Sequence, residues 1–436
     1  MMKIERDHYL SKLISKKWNG KVKIITGIRR CGKSFLLNDL FINHLLSAGV
    51  TNKCIVSLSL EDDVNMMYRN PVELSKHIRE VVSDTGNQYY VIIDEIQKVE
   101  SIANPYLPKG SESKITFVDV LLGLMKLPNV DIYVTGSNSK MLSTDILSDF
   151  RDRGDEIRVF PLTYSEFYKA YEGDKRYAWR EYLTYGGMPY VMHLNTHEEK
   201  GEYLRKLFEL TYMKDILERN NLKGKTETLE ILLDTIASSV GSLSNPSRIA
   251  NTFKSEKKIN IKSETIASYL QYFENAFLIS EAQRYDVKGR AYISTPLKYY
   301  FSDVGLRNAR LNFRQQEESH IMENAIYNEL IARNLSVDVG VVVHNYKDED
   351  GISKQSKLEV DFIVNKGSQR FYIQSALNVD TSEKREQEIN SFLRIEDSFL
   401  KIVVVKEDII QWMDENGILY IGVQDFLLEY IDKNMC

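Results

Sequence analysis

The stretch TGIRRCGKSFLL, residues 26–37, follows the short apolar run KVKII and leads into a segment with helical periodicity. Gly27 and Gly32 enclose four residues, and Lys33 and Ser34 come directly after them. Glycine lets a backbone loop wrap closely, and a loop that enters the first turn of a helix points several N–H groups at one spot. With a lysine beside it, such a loop is suited to phosphate. We expect the phosphate-binding segment to consist of Gly27, Ile28, Arg29, Arg30, Cys31, Gly32, Lys33, Ser34 and Phe35.

A phosphate loop that supports hydrolysis needs carboxylates nearby, and the run YYVIIDE at residues 89–95 supplies two. An apolar strand that ends in Asp94 and Glu95 would place the first carboxylate near a magnesium ion and the second where it can act as a base. We therefore expect Ser34 and Asp94 to bind Mg²⁺. Lys33 is expected to reach the β- and γ-phosphates of ATP, and Glu95 to activate water. The alternative is a buried strand followed by two solvated acids.

Other apolar runs, CIVSLSL, DIYVTG and IRVFPL, complete the pattern of an α/β fold with a parallel sheet covered on both faces. The run DIYVTG leads into Ser137 and Asn138, where a strand of an open parallel sheet ends and ligands bind. Asn138 is thus a candidate for sensing the γ-phosphate or holding the attacking water. The alternative there is an ordinary polar turn.

Composition limits the classes of function. The chain has 436 residues, 43% of them hydrophobic and 27% charged, which predicts a globular protein of two or three domains. The formal net charge of -5 means that nucleic acid could be bound only by a local basic patch. Three scattered cysteines form no disulfide framework or zinc spacing. Because we find no signal peptide and no apolar run near the roughly 18 residues of a membrane span, we expect a cytoplasmic protein without membrane contact.

With these motifs in place, the chain resembles the prokaryotic AAA-type ATPases that carry a C-terminal domain of unknown function. The matching stretches, in order, are TGIRRCGKSFLL, VIIDEIQKV, TGSNSKMLS, VFPLTYSEF, YLTYGGMPYV and EVDFIV. The resemblance implies ATP and Mg²⁺ as cofactors. It also implies an arginine eight positions before Pro161, which is Arg153, reaching the γ-phosphate of a neighbouring subunit in a homo-oligomer. Arg151 is the next choice, and an ordinary surface arginine is the alternative.

We predict four regions: an AAA-type P-loop ATPase domain (1–165), a helical connector (166–225), a winged-helix domain (226–310) and a nuclease-like α/β domain (311–436). Between residues 248 and 290 we count eight basic and five acidic residues. On an acidic chain this excess favours double-stranded DNA as a partner of the winged helix. A protein partner stays open, because winged helices also mediate protein contacts.

The last region resembles the restriction-endonuclease-like PD-(D/E)xK nucleases, whose metal site needs a helix acid, a strand Asp and a Glu-x-Lys. Glu323 and Asp361 fill the first two places, but Gln374 and Ala376 stand where Glu and Lys belong. Glutamine is a poor ligand for a hard metal, so we expect the nuclease-like module to be catalytically inactive.

The predicted function of the chain is an ATPase that couples nucleotide state to DNA or a protein partner. The alternatives are an ATP-gated signalling or defence switch with little turnover and an active Mg²⁺-dependent DNA nuclease.

Overall fold

The computed structural model describes residues 4–108, 112–136, 153–314, 317–347 and 351–436. The chain divides into two compact units. The N-terminal unit comprises Ile4–Phe160 with Asn275–Phe277, and the C-terminal unit comprises Pro161–Glu274 and Leu278–Cys436. Among the helices of these described residues, none is long and apolar enough to cross a membrane.

The N-terminal unit is built on a five-stranded, fully parallel sheet in the order β2–β3–β6–β1–β7. The predicted P-loop-type parallel sheet is confirmed. Because the strands are parallel, the C-terminal ends of β1, β3 and β6 lie together, and we refer to this end of the sheet as its edge. A separate antiparallel pair is formed by β4 and β5. The strands are β1 (Val22–Thr26), β2 (Ile55–Ser59), β3 (Tyr89–Asp94), β4 (Ile102–Ala103), β5 (Lys114–Ile115), β6 (Val130–Thr135) and β7 (Gly154–Arg158).

Helices cover this sheet because its central strands are apolar on both faces. Every residue of β1 and β3 is buried. On one face Leu74 and Ile78 pack in the same hydrophobic cluster as Val91 and Ile93 of β3. The helices are α1 (Asp7–Ser15), α2 (Lys33–Phe35), α3 (Ile42–Ser47), α4 (Pro71–Val81) and α5 (Phe117–Leu124), with a π-helical segment at Leu36–Phe41 and 3₁₀ turns at Asn52–Cys54, Asp63–Arg69 and Ile96–Lys98.

The C-terminal unit begins with helices and continues into a mixed sheet. Its helices are α6 (Tyr164–Ala170), α7 (Ala178–Tyr185), α8 (His197–Leu207), α9 (Lys214–Arg219), α10 (Thr226–Ser238), α11 (Pro246–Glu256), α12 (Ser263–Asn275), α13 (Val304–Arg310), α14 (Glu318–Ala332), α15 (Ser382–Ile389), α16 (Val423–Asp425) and α17 (Ile431–Asn434). π-Helical segments lie at Phe208–Met213 and Phe426–Tyr430, and 3₁₀ segments at Lys175–Tyr177, Pro189–His193 and Phe392–Arg394.

The mixed sheet has eight strands in the order β14–β15–β13–β12–β11–β10–β8–β9. The hairpin β8–β9, which lies within the predicted winged-helix domain, pairs through β8 in parallel with β10. The predicted division between residues 310 and 311 therefore separates strands that share one sheet, and the domain boundaries stay a prediction. The strands are β8 (Ile279–Asp286), β9 (Ala291–Phe301), β10 (Ser336–Lys347), β11 (Ser353–Lys366), β12 (Gln369–Ala376), β13 (Leu400–Val405), β14 (Trp412–Met413) and β15 (Ile418–Gly422).

The glycine pair of YLTYGGMPYV follows α7 and has a packing reason. The N–H of Gly187 donates to the carboxylate of Asp303 at 2.6 Å, and its carbonyl accepts from the N–H of Leu162 at 2.7 Å. A Cβ on Gly187 would lie 1.9 Å from the Leu162 carbonyl oxygen, and one on Gly186 would lie 2.3 Å from Asp303. Only glycine allows this approach.

Candidate functional site

The loop after β1 takes a shape that requires its two glycines. Gly27 and Gly32 have φ values of 139° and 100°, in the region that favours glycine. A Cβ on Gly27 would lie 2.1 Å from the carbonyl oxygen of Val159, a backbone atom that cannot move aside. Gly32 immediately precedes α2, so the loop enters a helical turn as the sequence predicts.

Lys33 lies inside this loop rather than on the protein surface. Its side chain is buried, and its ammonium donates to the carbonyl oxygens of Gly27 at 3.0 Å and Ile28 at 3.2 Å. An ammonium has three N–H donors, so two are engaged with the loop and one is left for a phosphate oxygen. Ser34, the next residue, is exposed on the first helical turn.

A buried arginine that sequence reasoning missed supports the loop from behind. The guanidinium of Arg6 donates to the carbonyl oxygen of Cys31 at 3.0 Å and to that of Phe160 at 2.7 Å. Its side chain is only 3% exposed, so these contacts are shielded from water. Nothing in the charged N-terminal sequence distinguishes Arg6 from its neighbours, because both acceptors are backbone atoms.

The acidic strand ends beside a threonine of the neighbouring strand. The N–H of Glu95 donates to the hydroxyl of Thr135 at 2.8 Å, and that hydroxyl donates in turn to the carboxylate of Asp94. Thr135 is completely buried at the end of β6. Glu95 itself has a φ of 57°, which is uncommon for a residue other than glycine. Thr135 is a second residue that sequence reasoning missed, although it directly precedes Gly136 in DIYVTG.

The carboxyl group of Glu95 sits in an environment that disfavours its charge. Burial raises its pKa above the ordinary value, and the negative charges of Asp94 and Glu61 add to the rise. The positive charges of Lys33 and Arg29 act in the opposite direction. A carboxylate with a raised pKa holds a proton more readily, which suits a base that must take one from water.

The structure brings together part of the predicted set. Residues 27–35, Asp94 and Glu95 lie at one edge of the sheet, since β1 and β3 are parallel and end there. Within the loop, Arg29 lies 3.5 Å from the carboxylate of Glu61, and Arg30 is exposed. Asn138 and the second finger candidate Arg151 lie outside the described residues.

Arg153 is not near the loop. It directly precedes β7, and its carbonyl oxygen accepts from the N–H of Val22 at the start of β1. Arg153 therefore lies beside the N-terminal ends of β1 and β7, whereas the loop follows the C-terminal end of β1. The length of β1, about 17 Å for five residues, separates the two. Arg153 could contact a phosphate only in another copy of the chain. Its role, like those of the other site residues, stays a prediction.

In the C-terminal unit, the two predicted carboxylates of the nuclease-like centre lie around one lysine. The ammonium of Lys298 on β9 is 2.8 Å from a carboxylate oxygen of Glu323 and 3.6 Å from one of Asp361. The side-chain oxygen of Gln374 lies 3.4 Å from the main-chain N–H of Asp361. Ala376 is buried in the core. Lys298 was missed, because a lone lysine in a strand does not reveal which acids it meets.

Burial shifts the pKa values of the acids in this centre. Burial, with repulsion from Glu323, raises the pKa of Asp361 to about 8, although Lys298 acts against the rise. Burial also disfavours the charged form of Glu323, but Lys298, the nearby imidazole of His320 and a hydrogen bond from Tyr300 outweigh it and hold the pKa of Glu323 below its usual range.

Family profiles match three successive segments: an AAA domain at residues 19–168, a domain of unknown function (DUF8612) at 176–317, and a domain of unknown function (DUF4143) at 318–426. An uncharacterised protein of Haemophilus influenzae is 31% identical over 98% of this chain and 99% of its own length. The chain belongs to this family of AAA-domain proteins with a C-terminal domain of unknown function. The predicted resemblance is thereby confirmed.

Two further comparisons cover smaller shares of this chain. Protein MJ1544 of Methanocaldococcus jannaschii is 26% identical over 89% of this chain and 83% of its own length. The solved structure of the Walker-type ATPase PABY2304 of Pyrococcus abyssi covers 71% of this chain and 96% of that one, with 16% identity and a TM-score of 0.47. The loop after β1, Asp94, Glu95 and Thr135 all fall within the segment matched by the AAA domain.

Proposed function

We propose that the protein hydrolyses ATP with Mg²⁺ at the sheet edge formed by the ends of β1, β3 and β6. One observation carries the proposal: the hydroxyl of Thr135 links Asp94 and Glu95, while Lys33 is held within the glycine loop at the same edge. A purely structural acidic turn would gain nothing from the positive φ of Glu95.

The loop residues fit a nucleotide by the chemistry of their donors. Loop N–H groups and the free donor of Lys33 would hold the phosphates, as expected for a glycine loop that enters a helix. The Ser34 hydroxyl and the Asp94 carboxylate would hold Mg²⁺, which neutralises charge on the phosphate oxygens when bound. Glu95, fixed by Thr135, would accept a proton from the attacking water.

Steady-state phosphate release tests the proposal. Lys33→Ala removes the phosphate-binding cation and Glu95→Gln removes the base, so both should lower turnover by about 100-fold or more. The exposed residues Lys53 and Glu100 offer matched controls, and Lys53→Ala and Glu100→Gln should leave turnover unchanged. Normal turnover in both site variants would contradict the proposal. One turnover or fewer in the unchanged protein would favour the ATP-gated switch instead.

We infer that the nucleotide controls contact with DNA through a basic patch, defined as Arg248, Lys254, Lys257, Lys258 and Lys262. All five side chains are exposed. They lie on α11 and in the segment before α12, whereas α12 itself carries no lysine or arginine. Arg284, which we counted toward the basic excess, is buried and is unavailable to phosphates.

Gel shifts with double-stranded DNA at several salt concentrations test this part. Each phosphate contact makes binding more salt-dependent, so affinity should fall steeply as salt rises. Charge reversal of Lys257 and Lys258 to Glu should weaken binding and flatten the salt dependence. Charge reversal of Lys223 and Lys225, which are exposed outside the patch, is the matched control. Absent or salt-independent binding would leave a protein as the partner of the inactive nuclease-like and winged-helix modules.

A further inference from the structure

The lysine in the carboxylate centre is enclosed on three sides by acids. The side chain of Lys298 is 2% exposed. Its ammonium lies 2.8 Å from a carboxylate oxygen of Glu323, 2.7 Å from one of Glu359 and 3.6 Å from one of Asp361. The three carboxylates come from α14 and β11, while the lysine comes from β9, so the fold assembles this arrangement from separate elements.

The acids around Lys298 are themselves fixed. The hydroxyl of Tyr300 donates to the Glu323 oxygen that faces the ammonium, at 2.5 Å. The N–H of Ser375 donates to the other oxygen of Asp361 at 2.9 Å. One carboxylate oxygen of each of the three acids therefore lies within 3.6 Å of the same ammonium. Burial opposes its charge, yet attraction to the three acids holds its pKa above the ordinary value.

We propose that the Lys298 ammonium takes the place of a divalent metal ion in this centre, so that the centre binds no metal while Lys298 is present. A divalent cation bound by the same oxygens would lie within a few ångströms of the ammonium, where like charges repel.

The centre is accessible to ions in solution. A cavity of about 730 Å³ opens beside the centre and is lined by Lys298, Glu323, Glu359 and Asp361. Glu359 is 33% exposed, so ions in solution can reach its carboxylate. The internal cation, rather than burial of the acids, therefore excludes metal. This inference concerns the C-terminal unit and can be tested whether or not the protein hydrolyses ATP.

Mn²⁺ titration of the nucleotide-free, full-length protein, followed by electron paramagnetic resonance, tests the inference. Lys298→Ala removes the internal cation and should bind one more Mn²⁺ per chain than the unchanged protein. Lys298→Arg keeps a positive charge and should bind no additional ion. The double variant Lys298→Ala with Glu323→Gln should lose the added site. No additional Mn²⁺ on a folded Lys298→Ala variant would overturn the inference.

A second measurement covers the case in which Lys298→Ala folds poorly. A ligand that binds only the folded state stabilises it, so Ca²⁺ should raise the melting temperature of Lys298→Ala but not that of the unchanged protein. The unchanged protein also gives a result by itself. Binding of Mn²⁺ that is lost in Glu323→Gln would show that metal displaces Lys298, which overturns the inference and favours an active nuclease centre. Absence of such binding supports it.

Discussion

The main-chain N–H of Glu95 donates to the side-chain hydroxyl of Thr135 at 2.8 Å, across two neighbouring parallel strands. This contact fixes the backbone of the proposed base in an uncommon conformation. The same hydroxyl contacts Asp94, so one side chain of β6 positions both acids at the end of β3. Thr135 therefore positions two of the predicted site residues without being one of them.

Thr135→Val tests that dependence, since valine keeps the shape of threonine and lacks the hydroxyl. The buried N–H of Glu95 loses its acceptor, which costs about 1–3 kcal/mol. We expect kcat for ATP hydrolysis to fall about tenfold or more, with a smaller change in nucleotide affinity. Thr135→Ser keeps the hydroxyl and should retain most of the activity. Equal activity of the valine and serine variants would show that the contact is not used.

The pH dependence of hydrolysis should reflect the raised pKa of Glu95. A base must be ionised, so activity is lost as pH falls through a pKa that lies above the ordinary 4.5. Arg29→Ala removes a positive charge that lowers this pKa and should move the acidic limb to higher pH. Glu61→Gln removes a negative charge and should move it to lower pH. Shifts of the same sign in both variants would contradict the assignment of the limb to Glu95.

Arg153 provides a test of action between subunits. Arg153 lies at the other end of the strands from the loop, so its loss should not weaken nucleotide binding by the same chain. If Arg153 acts as an arginine finger, Arg153→Ala should lower the rate of hydrolysis by about 1,000-fold. Mixing inactive Arg153→Ala with inactive Glu95→Gln should restore part of the activity, because some sites then combine an intact Glu95 with an intact arginine. Mixtures that stay inactive while hetero-oligomers form would exclude this role.

The contact between Gly187 and Leu162 predicts a stability effect in the C-terminal unit. Gly187→Ala would place a Cβ 1.9 Å from a backbone carbonyl oxygen, so the two segments must separate and lose their hydrogen bond. We expect the free energy of unfolding to fall by about 3 kcal/mol. Gly86→Ala meets only a surface aspartate side chain and should change it by less than about 0.5 kcal/mol. Urea denaturation measures both, and equal stability would contradict the packing argument.

The parallel sheet and the glycine loop could be predicted because their signals are local. Uninterrupted apolar runs such as YYVII indicate strands buried on both faces, and Gly27 and Gly32 sit at the spacing that a phosphate loop needs. The placement of Asp94 and Glu95 followed from the same logic, since parallel strands end at one edge.

The remaining contacts depend on strand order and register, which the sequence does not display. Thr135 meets Asp94 only because β6 lies next to β3. Lys298 meets Asp361 because the hairpin β8–β9 joins the sheet of β10 and β11 across the predicted boundary between residues 310 and 311. Arg6 supports the loop through backbone oxygens, which every residue has. Such contacts join residues far apart in the chain and leave no local pattern.

The central claim is that the edge formed by β1, β3 and β6 hydrolyses ATP, and Glu95→Gln tests it most directly. ATP retention and steady-state phosphate release should be measured on the same sample, beside the unchanged protein. We predict that the variant retains Mg²⁺-ATP but releases phosphate at about one hundredth of the normal rate or less. A variant that binds ATP and releases phosphate at the normal rate would contradict the account.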